Sequence, residues 1–256
     1  MNQKAILESV KKLREISKKR NFSQTFDLII NLQHINIKKQ DEKVDLYIPL
    51  PHGVKKPKIC ALIGRELETK SKDLFSKVIF KEEFIKYGKD KKLTRKLASE
   101  FDYFVAQANL MGDIATAFGK VLGPKGKMPN PKAGCVVPPI IPDLKPIVTK
   151  LEKTAKLETK GESIVKASVG KEDMKDEDVV ENILLVFNTL IHKLPQEKNN
   201  VKSVYLKLTM GQPVEVTDKG VKLKEVVKKE KKVEEKPKVE KKVEEKKETK
   251  EEPKEK

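Results

Sequence analysis

Two kinds of strand pattern divide this chain, and no single sheet accommodates both. Ile59 to Ile63 form a continuous apolar run, as do Val78-Ile79-Phe80 and Tyr103 to Ala106, with polar segments long enough for helices between them. Strands that lack a polar side are buried on both faces, which predicts a parallel sheet covered by helices in a small Rossmann-like α/β domain. Toward both ends of the chain the pattern becomes alternation. Phe26, Leu28, Ile30 and Leu32 alternate with Asp27 and Asn31, and Val44, Leu46, Ile48 and Leu50 share one face of the segment from Lys43. Val204, Leu206 and Leu208 likewise stand opposite Ser203, Tyr205, Lys207 and Thr209. Alternation marks a sheet with one solvated face.

Helical spacing fills the remainder. Ile6, Leu7, Val10, Leu13 and Ile16 form one stripe within residues 3–18, and Ile114, Ala115, Ala117, Phe118 and Val121 another within 111–121. Asp143 is placed to cap a helix carrying Leu144, Ile147, Val148 and Leu151. Asp176-Glu177-Asp178 suit the positive end of a helix bearing Val180, Ile183, Leu184, Phe187 and Ile191. Ser163 to Val169 reads as a strand, and Val201 to Leu208 as the last strand. The segments 26–32 and 43–50, joined by the polar Lys38–Lys43, predict a hairpin-like antiparallel pair. Pro51-His52-Gly53-Val54-Lys55-Lys56-Pro57 marks the first domain boundary.

The predicted fold class is therefore α/β and α+β in two domains. Residues 1–57 and 156–222 make a split α+β domain with an antiparallel sheet, and residues 58–155 an inserted Rossmann-like α/β domain. Residues 223–256 form a Lys/Glu-rich tail in which Lys-Lys-Val-Glu-Glu-Lys at 231–236 recurs at 241–246. Too few apolar groups remain there to offset ordering entropy, so disorder is expected.

A formal net charge of +17 over 256 residues favours a polyanionic partner, and most of it belongs to the part before the tail. With no Trp and 5% aromatic residues, base stacking is not the expected mode of contact. Cys60 and Cys135 belong to no C-x-x-C pair, so buried reduced thiols are expected. No apolar run approaches the ~20 residues that span a bilayer, and Met1-Asn2-Gln3-Lys4-Ala5 lacks an apolar signal region, so a cytosolic location is expected.

Gly119 to Gly134 hold four glycines, three prolines and four lysines in sixteen residues. Such a segment is a shaped loop, because proline removes a donor and glycine is costly to order. Its charge and approachable amides suit phosphate, yet no register fits the P-loop spacing, and G-x-G-x-x-G is absent. From the residues alone, a structural turn and a nucleic-acid backbone contact both stay open. Leu122-Gly-Pro-Lys-Gly-Lys-Met-Pro-Asn-Pro-Lys132 resembles the diagnostic loop of the first-numbered protein of the large ribosomal subunit, the L-one family. Leu50-Pro51-His52-Gly53 is similar to a family motif at the hinge, and Thr209-Met210-Gly211-Gln212-Pro213 to the family's Thr-Met-Gly-Pro, with Gln212 extra or substituted. The resemblance covers about residues 1–222.

The resemblance implies a split RNA-binding domain, an inserted domain on two connections, and no enzymatic activity or cofactor. It implies binding of large-subunit rRNA at the mobile stalk, contact with exit-site tRNA and assistance in its release, and repression of translation through the protein's own mRNA. It makes Phe22, Gln24, Thr25, Ser203, Thr209, Met210 and Gly211 candidate RNA contacts, and charge and position add Lys166 and Lys171 as weaker ones. Phe22 is equally a candidate core residue. The resemblance also makes Gly123, Lys125, Gly126, Lys127, Asn130 and Lys132 a candidate loop for facing tRNA or RNA. Phosphate and 2′-OH contacts are expected to dominate over base readout.

Other classes fit poorly. His34, His52 and His192 sit in unrelated contexts without metal-ligand spacing, so no metal is expected, and His52 reads as a turn residue. A free translational repressor and a nucleotide-dependent α/β enzyme are the two alternatives. Near-stoichiometric association with large subunits and saturable nucleotide binding separate them.

Overall fold

The computed structural model describes residues 2–36, 39, 42–71, 74–139, 143–159, 161–217 and 220–223. The strands are β1 (Thr25–Leu32), β2 (Asp45–Pro49), β3 (Ile59–Ile63), β4 (Lys77–Phe80), β5 (Tyr103–Gln107), β6 (Val136–Val137), β7 (Thr154–Glu158), β8 (Ile164–Lys171), β9 (Val201–Leu208), β10 (Val214–Thr217) and β11 (Gly220–Leu223). The helices are α1 (Gln3–Ile16), α2 (Glu68–Ser71), α3 (Phe84–Lys89), α4 (Lys91–Glu100), α5 (Met111–Leu122), α6 (Lys145–Lys153) and α7 (Asp176–Lys193).

Among the described residues the strands form three sheets. The first is antiparallel with order β11-β10-β9-β1-β8. Phe26, Leu28, Ile30 and Leu32 of its central strand are buried, as their alternation requires, and pack in one cluster with Ile6, Val10 and Leu13 of α1 and Val180, Ile183 and Phe187 of α7. Both helices cover the same face, which leaves Asp27, Ile29 and Asn31 on the half-exposed opposite face. The second sheet pairs β2 with β7. The third, β4-β3-β5-β6, is parallel.

Every residue of β3 is buried, so its continuous apolar run has the two-sided burial it predicts. On one face Cys60, Leu62, Phe104 and Ala106 meet Leu97, Ile114, Phe118 and Leu122. On the other, Ile59, Ala61, Ile63 and Val105 meet Leu67, Phe75, Leu144 and Leu151. Cys60 and Cys135 are buried free thiols, and burial pushes them up to about 12 and about 11.

Several details differ from the sequence expectation. β1 and β2 form no hairpin: both edges of β1 are taken by β8 and β9, and β2 pairs with β7, which carries the chain back from the parallel sheet. β9 is not the last strand. Val214 and Val216 are buried and β10 pairs with β11, so the sheet runs to Leu223, one residue into the segment assigned to the tail. On α5 the buried stripe is Ile114, Phe118 and Leu122, while Ala115 faces solvent, since i, i+4 and i+8 share the inner face. Asp143 acts one step outside the helix, its Oδ1 accepting from Lys145 N at 3.0 Å, while Leu144 is the cap residue. Residues 224–256, Lys38 and residues 140–142 lie outside the described residues. Among the described residues, no helix is long and apolar enough to cross a membrane.

The turn at Pro51–Gly53 is held by a side chain distant in sequence. Asn182 on α7 is fully buried; its Nδ2 donates to the carbonyls of His52 (3.0 Å) and Val169 (2.8 Å), and its Oδ1 accepts from His52 N at 3.2 Å. His52 Nε2 also lies 3.0 Å from Glu181 Oε2. Three bonds satisfy a buried amide and tie the exit from β2 to α7.

Candidate nucleic-acid interface

The start of β1 and the end of β9 meet at one corner of the antiparallel sheet. Thr209 N donates to Thr25 O at 3.1 Å and Thr25 N to Thr209 Oγ1 at 3.2 Å, and the two hydroxyl oxygens are 2.8 Å apart. Each hydroxyl has one proton and two lone pairs, so the pair keeps capacity for an outside donor or acceptor. Beyond the corner the chain turns tightly, with Gly211 N donating to Leu208 O at 2.8 Å. A Cβ on Gly211 would lie 3.0 Å from Ser17 Oγ and 3.3 Å from Leu208 Cβ. The turn therefore sits directly on the end of α1.

Gln24 fastens this turn from below. It is 2% exposed, its Oε1 accepts from Met210 N at 3.2 Å, and its Nε2 donates to Lys18 O at 3.4 Å. Its side chain is a brace, and its amide is directed inward. Phe22 and Met210 are 54% and 62% exposed, which is unusual for large apolar side chains and removes the core alternative for Phe22. Three segments, 16–18, 22–25 and 208–211, thus converge through named contacts.

Along the strands the outward face continues from this corner. Asn31 pairs with Ser203 in register and its Nδ2 donates to Ser203 Oγ at 2.9 Å. Ile29 lies between Lys166 of β8 and Tyr205 of β9, and Asp27 between Ser168 and Lys207. Ser168 Oγ donates to Asp27 Oδ1 at 3.1 Å. Hydroxyls, an amide and the exposed Lys166 therefore share one shallow face. Lys171 pairs with Thr25 at its end. The sequence reading missed Asn31, Ser168 and Ser17, whose only signal is strand parity or contact across the fold.

Arg14 was missed as well. Its guanidinium donates to Asp176 Oδ1 (2.7 Å), Glu172 O (2.5 Å) and Met174 O (2.7 Å), and lies 5.3 Å from the Phe26 ring centroid. This fork anchors the β8–α7 loop, where Glu172 N in turn donates to Gln24 O at 2.8 Å.

The glycine-proline loop has a different character. Lys127 Nζ donates to Ala98 O (3.0 Å) and Phe101 O (2.7 Å), and Lys125 Nζ to Ser99 Oγ (3.0 Å) and Arg95 O (3.5 Å). Both lysines close the carbonyl end of α4, where cations are favoured. Burial holds the Lys127 ammonium below its usual range. The amides expected to be approachable are occupied: Gly123 N donates to Gly119 O, Gly126 N to Gly123 O, Lys127 N to Leu122 O and Gly134 N to Pro131 O. Gly126 and Gly134 have φ of 63° and 78°, the left-handed region that glycine enters freely. Asn130 Oδ1 accepts from Lys132 N at 3.0 Å, and Asn130 O from Cys135 N at 3.2 Å.

The loop also reaches the β2–β7 ribbon. Lys156 Nζ donates to Gly126 O at 3.3 Å, pairs with Glu158 Oε2 at 2.9 Å and lies 5.9 Å from the Tyr47 ring centroid. Burial opposes its charge, but Glu158 and Tyr47 outweigh burial and raise its pKa. Lys132 Nζ, mostly exposed, is 3.9 Å from Asp45 Oδ2. Among the described residues, no group of three or more His, Cys, Asp or Glu is arranged to hold a metal.

Fold and surface together define a class: a basic, mixed α/β protein with a polar sheet face beside a parallel-sheet region. The model of the Ribosomal protein L1p/L10e family matches residues 12–212, and the chain belongs to that family. It is 41% identical over 212 residues to the large ribosomal subunit protein uL1 of Thermococcus kodakarensis, covering 82% of this chain and 96% of the relative. The uL1 of Methanocaldococcus jannaschii is 38% identical over 225 residues, covering 88% of this chain and 100% of the relative. That of Nanoarchaeum equitans is 41% identical over 214 residues, covering 82% and 98%. The family is structural and non-enzymatic.

Proposed function

We propose that this protein is a component of the large ribosomal subunit that binds large-subunit rRNA through the outward face of its antiparallel sheet. The observation that carries the reading is the Thr25–Thr209 corner, where two hydroxyls lie close to each other on segments that also expose Phe22 and Met210. Hydroxyls bond phosphate oxygens and 2′-OH groups, and Gly211 lets a sugar-phosphate approach the main chain closely. Phe22, Thr25, Lys166, Ser203, Thr209, Met210 and Gly211 make the contact, with Gln24 holding the turn.

In this reading the antiparallel-sheet region is one domain, split between the two ends of the chain. The parallel-sheet region is an inserted domain that turns on the two connections bordering the β2–β7 ribbon. The protein forms the mobile stalk by the tRNA exit site of the cytoplasmic ribosome, the inserted domain follows departing tRNA, and the rRNA face also binds the protein's own mRNA to repress its translation.

The test is binding to a stalk fragment of large-subunit rRNA across a salt series, with unrelated RNA as control. Specific binding that weakens in Thr209→Ala at an unchanged salt slope supports the reading. Equal binding of any RNA, indifferent to the substitution, overturns it. Competition by the protein's own mRNA tests repression through the same face.

A further inference from the structure

The two central lysines of the glycine-proline loop are held by α4, and a run of exposed cations of the parallel-sheet region lies on the helices α3 and α4. Lys86 and Lys89 on α3, and Lys91, Lys92, Arg95 and Lys96 on α4, are all exposed. Among the described residues none of these six side chains makes an ion pair, whereas nearby cations do: Arg65 with Glu82 at 2.7 Å, Lys81 with Asp113 at 3.1 Å, and Lys55 with Asp102 at 3.1 Å. The one carboxylate within the run is Asp90, whose Oδ1 accepts from Lys92 N (2.8 Å) and Leu93 N (3.4 Å).

This arrangement works against the helix that carries it. Lys91–Arg95 and Lys92–Lys96 are like charges at i, i+4, which destabilise. The first turn of α4 contains no acidic residue, and the helix dipole disfavours cations there. The fold of α4 gains nothing from these like-charge pairs; a polyanion laid across them would relieve the repulsion. The platform is firm. Lys125 and Lys127 close the far end of α4, and α3 packs so near α5 that a Cβ on Gly88 would lie 3.5 Å from Ala117 Cα. Ile85, 68% exposed, adds an apolar side chain beside Lys86 on which a ribose can rest.

We infer that the α3–α4 face is a second RNA-backbone surface, which takes the phosphates of another RNA while the antiparallel-sheet face holds its own. The inference rests on the RNA-binding reading above and moves the contact of the parallel-sheet region from the glycine-proline loop to these helices. Contacts of this kind are electrostatic and largely indifferent to sequence. The second RNA is a tRNA or another rRNA duplex, both of which present the same phosphate chemistry.

The experiment uses the full chain bound to immobilised stalk rRNA, titrated with tRNA or with an rRNA duplex across a salt series. Two variants are compared with wild type: K91E/K92E and K86Q/K89Q. The wild-type complex should capture the second RNA. Each variant should lose at least about tenfold, with a salt slope shallower by roughly one to two, and keep stalk affinity within about twofold. K91E/K92E turns both like-charge pairs into Glu-to-cation pairs and should raise Tm, so its loss of binding is not unfolding. Stronger capture of tRNA than of the duplex, or the reverse, identifies the source, and either supports the inference. Undiminished capture by both variants, or none by a wild-type complex that still holds stalk rRNA, overturns it. Failure of wild type to hold stalk rRNA overturns the underlying reading, and this inference with it.

Discussion

Thr25 Oγ1 and Thr209 Oγ1 lie 2.8 Å apart although 184 positions separate them in sequence. The two hydroxyls share one hydrogen-bonded corner, so neither is positioned independently of the other. Thr25→Val and Thr209→Ala should each weaken binding to stalk rRNA by about tenfold, or ~1.4 kcal/mol. The double variant should lose less than the sum of the two, because the pair acts as a unit. Filter binding or calorimetry measures the cycle; full additivity would mean that the hydroxyls contact RNA separately.

Lys127→Met should act on stability and spare binding to stalk rRNA. The substitution keeps the apolar stem but removes the donor that serves Ala98 O and Phe101 O. Leaving partly buried carbonyls short of a partner costs roughly 1–3 kcal/mol. Urea denaturation reads this, while stalk-rRNA affinity should stay within about twofold. Lys132→Ala, whose ammonium is mostly exposed, should change stability by less than about 0.5 kcal/mol.

Asn182→Ala should be among the more damaging single changes outside the apolar core. It removes three hydrogen bonds and leaves the His52 and Val169 carbonyls without that donor. A loss of roughly 2–4 kcal/mol is expected in urea. Hydrogen exchange should rise first at His52 N, whose acceptor is gone. Unchanged protection there would show that the turn is held by other contacts.

Alkaline pH should loosen the parallel-sheet region. Burial raises Cys60 from 9.0 to about 12, Cys135 from 9.0 to about 11 and Tyr103 from 10.0 to about 12. An acid held protonated by folding stabilises fully below its unfolded value. The stabilisation declines as pH rises from about 9, until each folded value is passed near 11 to 12. The urea midpoint should therefore fall above pH ~9, and Cys60→Ala/Cys135→Ala should flatten that fall while lowering the midpoint at neutral pH. A midpoint flat to pH ~11 would contradict the assignment.

The sequence by itself determined the elements whose environment is encoded by period. The unbroken apolar run of β3 requires burial on both faces, and the alternation of β1 requires one buried face; both requirements hold in the fold. Residues near each other in the chain also made the Gly-Pro-Lys segment legible as a loop, with left-handed conformations at Gly126 and Gly134. Periodicity carries no information about partners. It did not choose β7 over β1 as the neighbour of β2, because both edges of β1 were filled by strands more than 130 positions further along the chain.

The same limit applies to side chains. Gln24 reads from sequence as a polar surface residue, and only the approach of Met210 and Lys18 turns it into a buried brace. Lys125 and Lys127 read as cations offered to a phosphate, and only the packing of the loop against α4 gives them carbonyls and a hydroxyl to hold. Charge and type are properties of a residue, legible in one dimension. Whether a donor is satisfied within the protein or left for a partner depends on contacts between distant segments, which tertiary structure alone decides.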